Sequence, residues 1–240
     1  AAPADISGEG AGFITFGEIA GLDERLAAAF DFAHLLAFHP KDASAEAIGH
    51  LQAAGWSEDD IVSLSQLIAF LSFQLRVIHG LKVLGGDEST APESTRIEGA
   101  SDPGWQLHEH TLSPETHAPQ GFVAHSLGWK PWFTPLAKEE FTQEQIDALI
   151  RPERIDSEYF RLLARDAAAL KARTLTDLDI FYNTDGGLGR AERELAATVV
   201  SRFNGCEFCA SVHQQRSKDE GGDAAAIDRL LFEGLDADLG

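Results

Sequence analysis

Residues Glu194–His213, ELAATVVSRFNGCEFCASVH, decide how this chain is read: a helix, a tight Asn204-Gly205 turn, and a second helix opened by Cys206 and Cys209. These are the only two cysteines among 240 residues, and they stand three apart. On a helix, Cys206, Cys209 and His213 fall at i, i+3 and i+7, so both sulfurs and the imidazole share one face. A first helical turn offers unpaired backbone N–H groups and the positive end of the dipole, both of which favour thiolate over thiol. His213 follows Cys209 by one turn, where it can take or return a proton. Glu194 lies 11 residues before Gly205 and His213 lies 8 after it. In an antiparallel helix pair this places them roughly 16 and 12 Å from the bend, within about one turn of each other. A carboxylate in contact with the imidazole would fix its tautomer and keep it basic. Carboxylate, imidazole and dithiol together form a proton relay.

Other chemistries compete for the same residues. A CxxC pair can be half of a zinc site, but a Cys2His2 site needs a second His, and none follows His213. An inert, buried pair of cysteines is the second alternative. Redox chemistry is the third, and no metal is expected.

The spacing of Glu194, Cys206, Cys209 and His213 resembles the active-site pattern of the AhpD-like alkylhydroperoxidase and carboxymuconolactone decarboxylase superfamily. The surrounding RAERELAATVVSRFNGCEFCASVH is similar to its peroxidase-related branch. Some members carry a second His just before the latter Cys, where Phe208 stands in this chain. The resemblance implies an AhpD-like helical bundle and a cysteine-based peroxidase acting on a hydroperoxide, organic in kind. It implies that Cys209 attacks the O–O bond and becomes a sulfenic acid, that Cys206 resolves this to a disulfide, and that His213 and Glu194 move protons. No organic cofactor or metal is implied, but an external dithiol or thiol-reductant protein is. It also implies a homo-oligomer associating through helical faces. Two rival functions are a decarboxylase acting on a lactone, which needs no dithiol, and a redox-responsive interaction protein without turnover.

Composition narrows the partners. Lys and Arg number 19 against 39 Asp and Glu, for a net charge of −20, which argues against nucleic acid or an anionic membrane surface. No uninterrupted apolar run approaches the roughly 18 residues of a membrane span. The opening AAPADISGEG lacks the basic region and apolar core of a signal peptide, and a lone CxxC in an acidic chain fits a reducing cytoplasm. Methionine is absent altogether, which points to a trimmed form of the encoded chain.

The class is all-α: periodic apolar stripes recur and strand signals are sparse. Residues 1–86 form one helical region, beginning loosely. Within it, Leu22–Phe38 is a helix with Leu22, Leu26, Phe30, Ala33 and Ala37 on one face. Ser44 caps a short helix that Gly55 ends, and Ser57 caps a long one closed by Gly85-Gly86. The long helix carries a stripe of Ile61, Leu64, Leu67, Ile68, Leu71, Leu75 and Ile78, expected to lie at the centre of a bundle. His34, His39, Arg76 and His79 are expected at solvated edges. Residues 87–120, rich in Pro, Ser, Thr and Glu, are a linker or extended wrapping segment, and its His108, His110 and His117 lack a metal-ligand spacing. Residues 121–240 carry the hairpin. Trp129, Pro131, Trp132 and Pro135 form a rigid aromatic clasp there, and Thr142 and Gln145 form a capping box for a helix to Ile150. A helix over Ser157–Arg173 turns Phe160, Leu163, Ala164, Ala167 and Leu170 inward. A last helix runs Ala224–Glu233 and stops at Gly234. By resemblance, residues 22–86 are similar to the closing part of a family unit and 121–235 to the opening part. The chain is therefore either a piece of a longer fusion or a bundle completed in permuted order.

Overall fold

The structure, a computed structural model, describes residues 22–38, 40–86, 122–125 and 127–239. The linker 87–120 with its three histidines, the first 21 residues and His39 lie outside the described residues. Among those described, the regular structure is helical throughout, as the periodicity predicts. Two compact units emerge among the described residues, one from 22–38 and 46–86, the other from 40–45, 122–125 and 127–239.

In the first unit, α1 (Glu24–Phe38), α2 (Ala45–Ala53) and α3 (Glu58–Leu84) follow one another. Ser57 caps α3 by accepting the Asp60 N–H, and the Asp60 carboxylate accepts the Ser57 N–H in return. That reciprocal box satisfies two otherwise unpaired donors. Arg25 stacks over Trp56, pairs with Asp60 at 3.0 Å, and its carbonyl accepts the indole N–H, so α1 is fastened to the start of α3. The core holds Ala29, Phe32, Ile48, Leu51, Ile61, Val62 and Ile68.

Two expectations are corrected here. On α1 the buried residues are Ala29 and Phe32, one step round the helix from the predicted stripe, and Leu26 is exposed. On α3 burial ends at Ile68: Leu67, Leu71, Leu75 and Ile78 are exposed, although α1 still reaches Arg76, which donates to the Ala37 carbonyl at 2.9 Å. α3 is also long and apolar enough to cross a membrane by length and composition. The absence of an uninterrupted apolar run hid this, since isolated Ser, Gln and Arg residues break the run without making the helix polar.

The second unit holds α4 (Gln143–Ala148), α5 (Glu158–Leu163), α6 (Ala167–Tyr182), α7 (Arg190–Phe203), α8 (Glu207–Asp219) and α9 (Ala224–Glu233). The Thr142–Gln145 capping box forms as expected. The predicted helix over Ser157–Arg173 is in fact two. Asp166 leaves helical geometry, and its carboxylate accepts the Ala169 N–H at 2.9 Å, which starts α6 afresh and carries it to Tyr182. Ala164 and Leu170 still reach zero exposure in a core with Ala148 and Leu149. A second core joins Phe122, Ala210, Ile227 and Leu231, with Leu195 packed against it.

Candidate active site

The site is built on the α7–α8 hairpin. Gly205 makes its bend with φ of +71°, and a Cβ there would come 2.6 Å from Lys41 Cβ, so both the backbone sign and the close approach require glycine. Below the bend the helices meet through small and polar side chains. Thr198 and Ser201 on α7, and Ala210, Ser211, Gln214 and Ser217 on α8, are all buried. The Ser217 hydroxyl donates to the Ala191 carbonyl at 2.8 Å and ties the two helices at their far end. Of the apolar residues on α7, Val200 and Phe203 stay exposed.

This register brings Glu194 to His213. The imidazole Nδ1 lies 2.6 Å from Glu194 Oε2. Arg190, one turn before Glu194, donates to Oε1 from Nε at 2.8 Å and from Nη2 as well, while its Nη1 donates to the Phe181 carbonyl. Burial alone would push the Glu194 carboxyl up, but the bonds from His213 and Arg190 outweigh it and hold the group below the ordinary carboxylate range. A carboxylate anchored this way accepts Nδ1–H and leaves Nε2 as the basic nitrogen of the ring. Phe181 stacks on the imidazole, centroids 5.5 Å apart and planes 17° from parallel, and also carries the Arg190 guanidinium at 5.3 Å.

The same register places the dithiol at the start of α8. Cys206 is the N-cap, its sulfur accepting the Cys209 N–H at 3.3 Å, and the two free thiols lie 2.6 Å apart. The hydrogen bond with Cys209 lowers the Cys206 thiol, burial opposes this, and the Cys209 N–H lowers it further. Cys209 moves the other way, pushed well up by its bond with Cys206 and by burial. Of the two thiols, Cys206 is therefore the one whose ionisation is favoured. Among the described residues no hydrogen bond joins His213 directly to either sulfur.

Several neighbours were not legible as site residues. Tyr159 lies within electrostatic reach of both thiols, and burial keeps its phenol protonated. Trp129 meets its ring edge-on at 5.2 Å, and Arg173 lies over it at 5.5 Å while its charge reaches Cys209. Nothing in the spacing of Trp129, Tyr159 and Arg173 marks them, since three different segments supply them. Arg190 did leave a signal, an Arg four residues before Glu194. No cluster of His, Cys, Asp and Glu among the described residues is arranged to hold a metal ion.

Residues 167–238, from the start of α6 to beyond α9, match the family described as carboxymuconolactone decarboxylase. Glu194, Cys206, Cys209 and His213 all fall inside this segment. No curated protein and no solved structure matches the chain.

Proposed function

We propose, from a carboxymuconolactone decarboxylase family segment that carries an adjacent dithiol, that this chain is a thiol peroxidase reducing organic hydroperoxides. The observation that carries the reading is the pair of free thiols 2.6 Å apart at the start of α8, on the same hairpin as the Glu194–His213 pair. Such thiols can close a disulfide with little movement of the backbone.

By resemblance the attacking sulfur is Cys209, whereas Cys206 is the thiol of the pair whose ionisation is favoured. The Cys209 proton must therefore pass to Cys206 along the contact between the two sulfurs before attack. The Cys209 thiolate then takes the terminal oxygen of ROOH, the O–O bond breaks, and the alkoxide leaves and is protonated to ROH. Cys206 attacks the Cys209 sulfenic acid, the S–O bond breaks, and water departs once its oxygen is protonated. An external dithiol reduces the disulfide and is itself oxidised. Glu194 and His213 hold a basic nitrogen on the hairpin to relay protons in this cycle. The peroxidase reading also includes a reducing, cytoplasmic setting and assembly as a homo-oligomer.

The test is consumption of cumene hydroperoxide supported by dithiothreitol, on wild type, Cys206→Ser and Cys209→Ser. Turnover in wild type and background rates in both variants support the reading. Absence of turnover in reduced wild type, or an undiminished rate without either cysteine, overturns it.

A further inference from the structure

Phe181, in the last turn of α6, touches two members of the relay's support and brings no acid or base of its own. Its ring stacks on the His213 imidazole, centroids 5.5 Å apart and planes 17° from parallel, and the Arg190 guanidinium lies 5.3 Å from the same ring. Its carbonyl accepts Arg190 Nη1 at 3.1 Å. Arg190 in turn donates to Glu194, and Glu194 meets His213 Nδ1 at 2.6 Å. The contacts therefore close into a ring of four residues, Phe181, Arg190, Glu194 and His213, drawn from α6, α7 and α8. Phe181 belongs to neither of the two cores of this unit, so packing of a core does not account for it.

Glu194 fixes only one atom of the imidazole. A hydrogen bond at Nδ1 sets where that nitrogen lies, but the ring can still tilt about it, and Nε2 then moves furthest. A stacking surface constrains the plane instead. One point and one plane together set the direction of Nε2. His213 needs the second constraint because its side chain is 28% exposed, against 3% for Glu194, so its surroundings do not enclose it. The platform is itself well seated. Carbonyls at a helix C-terminus lack partners within the helix, and here α7 supplies them. Arg193 Nη1 donates to Ile180 at 2.8 Å and to Asn183 at 2.7 Å, while Nε and Nη2 reach Leu188 at 2.6 Å and Gly186 at 2.9 Å in the following loop. With Arg190 on Phe181, two arginines of α7 fasten the end of α6 to the helix that carries Glu194.

We propose that Phe181 is a positioning residue for the relay: its ring holds the His213 imidazole in the plane that keeps Nδ1 on Glu194 and Nε2 in one direction. The role calls for an aromatic face, since an aliphatic side chain fills similar space without defining a plane. Without that face the imidazole can swing into solvent and exchange its Nδ1–H form for the Nε2–H form, in which Nε2 is no longer basic. The kinetic consequence rests on the peroxidase reading, whereas the state of the imidazole can be measured with no peroxide present.

The experiment compares wild type with Phe181→Leu and Phe181→Tyr by two readouts on the reduced protein. The first is the tautomer of His213, read by long-range proton–nitrogen NMR at a pH where the ring is neutral. Wild type and the Tyr variant should hold the proton on Nδ1, and the Leu variant should show a mixture with the Nε2–H form. The second is single-turnover disulfide formation with cumene hydroperoxide. The Leu variant should slow by about tenfold, less than the ~10² expected for loss of an acid–base group outright, and the Tyr variant should stay near wild type. Rescue by the second aromatic residue separates a stacking role from mere filling of space. A Leu variant that keeps the wild-type tautomer, one that keeps the wild-type rate, or a Tyr variant that restores neither readout would overturn the proposal. If the Leu variant folds poorly, Phe181→Met takes its place with the same outcomes. Should wild type reduce no hydroperoxide, the peroxidase reading fails and the tautomer decides Phe181 by itself: a mixture in the Leu variant that the Tyr variant abolishes supports the positioning, identical spectra of the ring nitrogens overturn it.

Discussion

Two glutamates on one hairpin are buried almost equally, Glu194 at 3% and Glu207 at 7% exposure, and their acidities move in opposite directions. Glu194 lies low on the hairpin, where Arg190 grips one oxygen and His213 the other. Glu207 lies at the bend, where among the described residues no positive group or donor reaches it. Burial taxes both charges alike, so the difference is made by partners. The low site favours a carboxylate that orients an imidazole, whereas at the bend burial pushes the carboxyl up to about 7.

The largest effect expected from breaking this contrast is at the fixed charge. Glu194→Gln should leave the fold intact, because the isostere opens no cavity, and should slow peroxide turnover by ~10²-fold. An unchanged rate would reduce Glu194 to a structural anchor.

Arg190→Met should move Glu194 toward its neighbour at the bend. Losing charged hydrogen bonds to a buried carboxylate should destabilise the protein by about 2–3 kcal/mol in urea unfolding near neutral pH. The sign with pH follows from the lowered folded value of Glu194. Its stabilisation is complete above the ordinary carboxylate value and is lost as pH falls through the folded one, so the Arg190 effect should shrink on acidification. A pH-independent loss would indicate that stacking on Phe181 and Tyr182, not charge, is what Arg190 contributes.

At the bend the sign reverses. A carboxyl raised from 4.5 to about 7 is easiest to bury below 4.5, becomes steadily costlier as pH rises, and reaches its full cost above about 7. Glu207→Gln should therefore stabilise the protein by about 1–3 kcal/mol above neutrality and make little difference below 4.5. A variant equally stable at every pH would mean that the carboxylate finds solvent or a partner in solution.

A last test concerns the bend itself. Gly205→Ala places a Cβ against Lys41 and forces a non-glycine residue to positive φ, for a loss of about 1–3 kcal/mol. Loosening the bend should separate the thiols and slow disulfide closure more than it lowers the melting temperature.

The amino-acid sequence by itself determined the elements that depend on near neighbours. The Asn204-Gly205 turn, Ser57 and Thr142 as caps, the dithiol at a helix start and the register of Glu194 with His213 all follow from helical geometry and local hydrogen bonding. The hairpin lies within residues 167–238, the segment that matches the carboxymuconolactone decarboxylase family. Periodicity was less reliable where a cap interrupted it, as at Asp166, or where a stripe ran on beyond the buried residues, as on α3 beyond Ile68. Only the tertiary structure decided which charges keep partners. Glu207 reads in sequence as an ordinary acid in a first helical turn, and Tyr159 and Arg173 as unremarkable residues of separate helices. Their meaning depends on desolvation and on groups brought in from distant segments, and no local pattern encodes either.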